Sequence, residues 1–88
     1  MNFDPPLPLP PTEIPEDILQ LPEGFSWAGN TKERYPHINN SKGHSVAIIW
    51  PNKLIWNGVT WNKNDHIPTS SYQEGMRLAH TLLMLGDE

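Results

Sequence analysis

The chain has 88 residues, which is enough for one domain, and its net charge at neutral pH is −4. The absence of cysteine excludes a disulfide framework, a thiolate metal site and a cysteine nucleophile. No apolar run approaches the roughly 18 residues of a membrane span, and the first residues lack the basic and apolar regions of a secretory signal. We therefore expect a cytoplasmic protein that does not enter a membrane.

The charge is unevenly distributed along the chain. Residues 1–25 carry −5, residues 26–64 carry +4 and residues 65–88 carry −3. All four tryptophans lie in the basic middle third. This coincidence of aromatic and basic residues favours a binding function located there.

The first predicted element is an extended arm over residues 1–11. Residues 4–11 read Asp-Pro-Pro-Leu-Pro-Leu-Pro-Pro, and proline excludes both a helix interior and a central strand, so a polyproline-II conformation is expected. The spacing of Pro5, Pro8 and Pro11 is typical of ligands for aromatic-lined grooves. A stiff leader, or an arm that packs on its own domain, is the alternative.

A short helix is expected over residues 12–21, because Pro15 suits a first helical position and the two acidic residues after it suit the positive end of the helix dipole. Residues 25–27 alternate apolar and polar side chains, which indicates a short strand. Residues 28–43 are rich in glycine, asparagine and proline, so a long loop is expected there.

The strongest strand pattern covers residues 44–50, followed by a return strand over residues 53–56. Asn57-Gly58 predicts a hairpin turn into a further strand over residues 59–61. In the alternative, this dipeptide forms a bulge within one bent strand. An antiparallel meander is expected in either case.

The last predicted element is a helix that ends at Gly86, a candidate C′ glycine. Ser70 with Gln73, or Ser71 with Glu74, fits the spacing of a capping box at its start. Its apolar stripe contains Tyr72, Met76, Leu78, Ala79, Leu82, Leu83 and Leu85. Gly75 lies within it and indicates that a side chain of the sheet approaches closely there.

Together these elements predict an α+β fold: a small antiparallel β-meander of three or four strands, one C-terminal α-helix packed on it, and the extended proline-rich N-terminal arm. Residues 12–88 are predicted to form a single compact domain. The arm is placed outside it.

The candidate catalytic and metal-binding residues form no recognisable pattern. No pair of histidines has the spacing of metal ligands on one helix or strand, no serine lies in a nucleophile context, and no glycine-rich phosphate loop is present. We therefore expect a protein that is not an enzyme and that uses neither a metal nor a cofactor.

The tryptophans are the best candidates for a binding surface. Trp50 and Trp56 are expected in the core. Strand alternation makes both faces of the sheet partly apolar, and the helix can cover only one of them, which leaves the other for the N-terminal segment or for a partner. The candidate contact residues are Trp27, Lys32, Arg34, Tyr35 and Trp61.

Two binding functions follow from these residues. The favoured one is a protein-binding module, monomeric or homodimeric, that acts by stoichiometric occlusion of a partner protein. Its acidic arm and helix end would flank the site and suit a basic partner. The alternative is a single-stranded nucleic-acid-binding protein in which Trp27, Tyr35 and Trp61 stack on bases while the basic residues contact phosphates.

In size and style the chain resembles the small cysteine-free proteins of bacteriophages and mobile elements. Many of those bind and block a host protein, including anti-CRISPR and anti-restriction inhibitors. The resemblance includes no shared motif. It implies an inhibitor of a host system.

Overall fold

The computed structural model describes residues 14–29 and 35–86. Five strands and one α-helix follow a short 3-10 turn, η1 (Glu16–Ile18). The strands are β1 (Ser26–Ala28), β2 (His37–Asn39), β3 (Ser45–Ile49), β4 (Lys53–Trp56) and β5 (Asp65–Pro68), and the helix is α1 (Tyr72–Leu85). The predicted arm over residues 1–11 lies outside the described residues.

The strands form one antiparallel sheet in the order β1-β2-β3-β4-β5, so each strand pairs with its neighbour in sequence. The predicted α+β meander with one C-terminal helix is confirmed, but the predicted number of three or four strands is wrong. A register shift between Ile38 and Asn39 leaves Val46 as an extra residue in β3. Val46 is fully buried.

Two strands, β2 and β5, were not predicted from the sequence, and β2 lies within the predicted loop over residues 28–43. β2 contains one apolar residue between two polar ones, and it exists because Ile38 pairs with both Trp27 and Ala47. β5 ends in Pro68, opposite Lys53. The Thr69 N–H bonds the Asn52 carbonyl at 3.1 Å. In an antiparallel strand the N–H groups of successive residues point to opposite sides, so position 68 faces away from β4. Because Pro68 has no N–H to donate on that outer side, it hinders pairing of this edge with another strand.

The predicted strand over residues 59–61 is wrong. Asn57-Gly58 forms no two-residue hairpin and no bulge in one continuous strand, since β4 ends at Trp56 and eight residues separate it from β5. The Trp61 N–H bonds the Gly58 carbonyl at 3.0 Å, which makes this segment a turn. Trp61 has a φ of 58°, a left-handed conformation that is rare for a bulky side chain.

One helix packs on one face of the sheet, where it contacts β3 and β4. The close approach of Ile49 accounts for the glycine at position 75, because a Cβ there would lie 3.0 Å from Ile49 Cγ2. The apolar stripe is confirmed for its central residues, although Leu85 is 76% exposed. The buried core comprises Ile18, Ile38, Val46, Ala47, Ile49, Leu54, Trp56, Tyr72, Met76, Ala79 and Leu83.

η1 covers the part of the helix that the sheet leaves bare. Ile18 is buried, and its carbonyl accepts a hydrogen bond from Trp27 Nε1 at 2.9 Å. Both oxygens of the Asp17 carboxylate contact the Arg77 guanidinium, at 2.5 and 3.3 Å. This pairing lowers the pKa of Asp17 below its ordinary value. η1 thus joins the helix to the first strand.

Ser71 is the N-cap of α1, and its Oγ accepts a hydrogen bond from the Glu74 N–H at 3.1 Å. The Glu74 carboxylate in turn accepts from the N–H of Ser70 at 2.9 Å and from its hydroxyl. At the other end Gly86 has a φ of 69° and its N–H bonds the last turn. The capping spacing of Ser71 with Glu74 and the C-terminal glycine are both confirmed.

We expect Ser71→Ala to lower the free energy of unfolding by about 1 kcal/mol, because the first turn of α1 loses its capping acceptor. Urea unfolding followed by circular dichroism measures this difference. Ser41→Ala, in an exposed turn, is the matched control and should change it by less than about 0.5 kcal/mol. Equal losses in both variants would contradict the role of the cap.

Acid should weaken this cap. Hydrogen bonds from the Ser70 side chain and backbone lower the pKa of Glu74 in the folded protein. A carboxylate with a lowered pKa stabilises the fold above its ordinary pKa, and this contribution is lost as the pH falls through the lowered value. The urea concentration at the unfolding midpoint should therefore fall as the pH is lowered from about 6 to about 3. Glu74→Gln should reduce the slope of this pH dependence. A Glu74→Gln chain with an unchanged slope would rule out this contribution.

Candidate functional site

The face of the sheet opposite α1 is not covered by the described helix. The register pairs Ala28 with His37, His37 with Ile48, Ile48 with Ile55 and Ile55 with His66, so these five side chains form one row across the sheet. We call this row the open face. Among the described helices and strands, none packs on it. Ile48 and Ile55 at its centre are only partly buried.

His37 is held rigidly at one side of the open face. The side chain is 8% exposed, and its Nδ1 lies 3.1 Å from the Tyr35 carbonyl oxygen. Gly29 packs against the imidazole with a φ of 72°, and a Cβ there would collide with the ring. A larger residue at position 29 would therefore displace His37 from the row.

Aromatic and basic side chains border the open face at the end where β3 stops and β4 begins. Trp50 is 37% exposed and stacks on Tyr35 with 5.3 Å between ring centroids. Lys53 Nζ lies 4.9 Å from the Trp50 ring centroid and 3.2 Å from His66 Nδ1. Behind them, burial raises the pKa of Tyr72, whose ring lies 6.1 Å from that of Tyr35. This border combines a partly exposed aromatic ring with positive charge.

A pocket lies at the opposite end of the strands, where β2 and β4 end and β3 begins. Its volume is about 430 Å³, within the roughly 300 to 1,000 Å³ of small-ligand sites. Trp61 is 50% exposed at its edge and stacks on His44 with 4.2 Å between centroids. We call it the Trp61 pocket. Its lining residues are Glu23, Gly24, Phe25, Asn40, Ser41, Lys42, His44, Val59, Thr60 and Trp61.

The structure separates the predicted contact residues. Trp27 is half-buried, and its indole N–H is engaged by Ile18. Tyr35 lies between Trp50 and Tyr72, at the end of the sheet opposite Trp61. Lys32 and Arg34 lie outside the described residues.

Several residues of both surfaces were not predicted from the sequence. Trp50 was expected in the core, which is wrong, since it follows the last residue of β3 and lies at the sheet border. Trp56 is buried as predicted. His66 was missed with β5, and His44, within the predicted strand over residues 44–50, was not recognised as a neighbour of Trp61. The open face could have been predicted from strand alternation, because Ile48 and Ile55 point to the opposite side of the sheet from their neighbours in sequence.

Comparisons with protein-family models, with curated proteins and with solved structures returned no match. No cluster of three or more potential metal ligands occurs within residues 14–29 and 35–86. None of the helices in the described part of the chain has the length and apolar content of a membrane span.

Trp61 provides a test of backbone strain at the pocket. Trp61→Gly and Trp61→Ala both remove the ring and its stacking on His44, but only glycine adopts a positive φ without steric cost. We expect the glycine variant to unfold with a free energy about 1 kcal/mol higher than that of the alanine variant, as measured by urea denaturation. Equal stabilities would show that the turn relaxes when the ring is removed.

Proposed function

We propose that the protein is a non-enzymatic binding module that occludes a surface of a partner protein stoichiometrically, and that the open face is its docking surface. The observation that supports this is the pair Ile48 and Ile55, left partly exposed at the centre of a sheet face on which no described element packs. An apolar centre with a polar and aromatic rim is the usual anatomy of a protein interface.

The charge of the open face favours an acidic partner. Lys53 and His66 lie on it or beside it, and none of the described strand residues on this face is a carboxylate. The acidic flanking segments of the sequence had indicated a basic partner instead. The register favours the opposite, because it places Lys53 and His66 beside the apolar centre.

The nucleic-acid alternative has weaker support. It requires a row of accessible rings, and Trp27 and Tyr35 are engaged by other residues while Trp61 lies at the far end of the sheet. The narrower identity of an anti-CRISPR or anti-restriction inhibitor of a host system is part of our proposal only through the resemblance in size and style.

The proposal is tested by a tagged pull-down from lysate of the source cell, with and without nuclease, followed by affinity measurement with the purified partner. A one-to-one protein complex that survives nuclease is expected. Ile55→Lys should weaken it by about 2 kcal/mol, or about 30-fold in Kd, since it places a charge at the centre of the interface. Its circular dichroism spectrum should match that of the unaltered chain.

Leu19→Lys is the matched control, because Leu19 is 54% exposed and lies outside the sheet. It should bind with unchanged affinity. Equal affinities of the two lysine variants would remove the open face from the interface. A signal that nuclease abolishes, with affinity that falls steeply with salt, would favour the nucleic-acid alternative instead.

A further inference from the structure

The Trp61 pocket lies away from the open face and has no part in the docking surface proposed above. Its main feature is an aromatic ring held at the edge of a cavity by a strained turn. Trp61 adopts a φ of 58° and stacks one face on His44, while half of the side chain stays exposed. Backbone strain at an exposed residue is a feature of ligand-binding sites.

The chemistry of the pocket is that of a groove for an extended peptide. Phe25, Val59 and Trp61 provide apolar lining, and no described residue accepts a hydrogen bond from the Trp61 indole N–H. Polyproline-II segments suit such sites because their prolines pack on aromatic rings while their carbonyls remain free to accept hydrogen bonds.

The chain itself contains such a segment. Residues 4–11 hold five prolines and two leucines, and the only charged residue among the first eleven is Asp4. The exposed Lys42 at the pocket provides the opposite charge for Asp4. Pairing of Asp4 with Lys42 would select one of the two chain directions in which a polyproline-II peptide can bind. A basic residue beside a proline motif has the same effect when the groove is acidic.

The arm is long enough to reach the pocket. The described chain begins at Ile14, immediately before η1. A groove lined by Asp17 and Leu21 of this segment shares Glu23 with the Trp61 pocket, so the two sites are contiguous. Ten residues in polyproline-II conformation span about 31 Å, so a pocket that adjoins the segment following the arm is within its reach.

We propose that the Trp61 pocket is a polyproline-II binding site and that its occupant is residues 4–11 of the same chain. In this proposal the strained Trp61 contacts the prolines of the arm, and the arm binds in a pocket of its own domain. Occupancy in cis is favoured by a short tether, which gives the arm a local concentration in the millimolar range.

The test uses paramagnetic relaxation in the full-length chain. Because the protein has no cysteine, Asn2→Cys accepts a single nitroxide label. The four tryptophan indole N–H signals are assigned through single Trp→Phe substitutions. The label should remove most of the intensity of the Trp61 signal and leave that of Trp50, at the opposite end of the sheet, nearly unchanged. Replacing both Pro8 and Pro11 by serine in the labelled chain should restore the Trp61 signal.

A second sample mixes unlabelled ¹⁵N-enriched chain with nitroxide-labelled chain of natural isotope content. No attenuation is expected there, because the proposed contact forms within one chain. Attenuation of Trp61 in this mixture would overturn the assignment in cis and show that a second copy supplies the arm. Equal intensities of Trp61 and Trp50 in the first sample would show that the arm does not occupy the pocket.

Discussion

One helix has to stabilise a sheet of five strands, and most of the structure depends on this mismatch. A helix has a diameter of about 10 Å, whereas five strands span about 19 Å between the outer strand axes. Of the five described strands, α1 accordingly contacts β3 and β4, and it also contacts η1. The remaining strands depend on pairing with these two and on η1, which brings Ile18 against Trp27.

The positions of the tryptophans follow from this geometry. Trp56 is on a central strand and on the helix face, so it is almost fully buried at 1% exposure. Trp27, on the first strand, shares the same face but lies beyond the helix, and η1 covers only part of it. Trp50 and Trp61 lie outside the strands, where no second layer reaches, and both remain exposed. Burial therefore decreases with distance from the axis of α1.

The helix and its ends could be predicted from sequence because the signals that define them are local. The apolar stripe, the cap at Ser71 and the glycine at position 86 each need only a few neighbouring residues. β2 and β5 could not be predicted in this way. Their short polar sequences form strands only because longer strands already offer hydrogen bonds beside them, and that pairing is a property of the folded chain.

The same distinction explains how well the candidate sites were predicted. Alternation showed that one apolar face would remain uncovered, but the row from His37 to His66 depends on a register that includes both unpredicted strands. Trp61 was recognised as a contact candidate for the wrong reason. It was assigned to a strand, whereas its exposure follows from a turn that forces a positive φ. A single sequence contains no simple signal for such strain in a tryptophan.

The charge segregation along the chain becomes a segregation between the two layers of the fold. Most described carboxylates belong to η1, to the segment after it and to α1, whereas Lys53 borders the open face. Lys53 therefore brings positive charge to the border of the face with the partly buried isoleucines, while most described carboxylates lie in the other layer. For the acidic partner that we propose, such an arrangement would favour the docking orientation before contact and raise the association rate. In the docking mode that we propose, repulsion between an acidic partner and the carboxylates of the helical layer favours a single orientation.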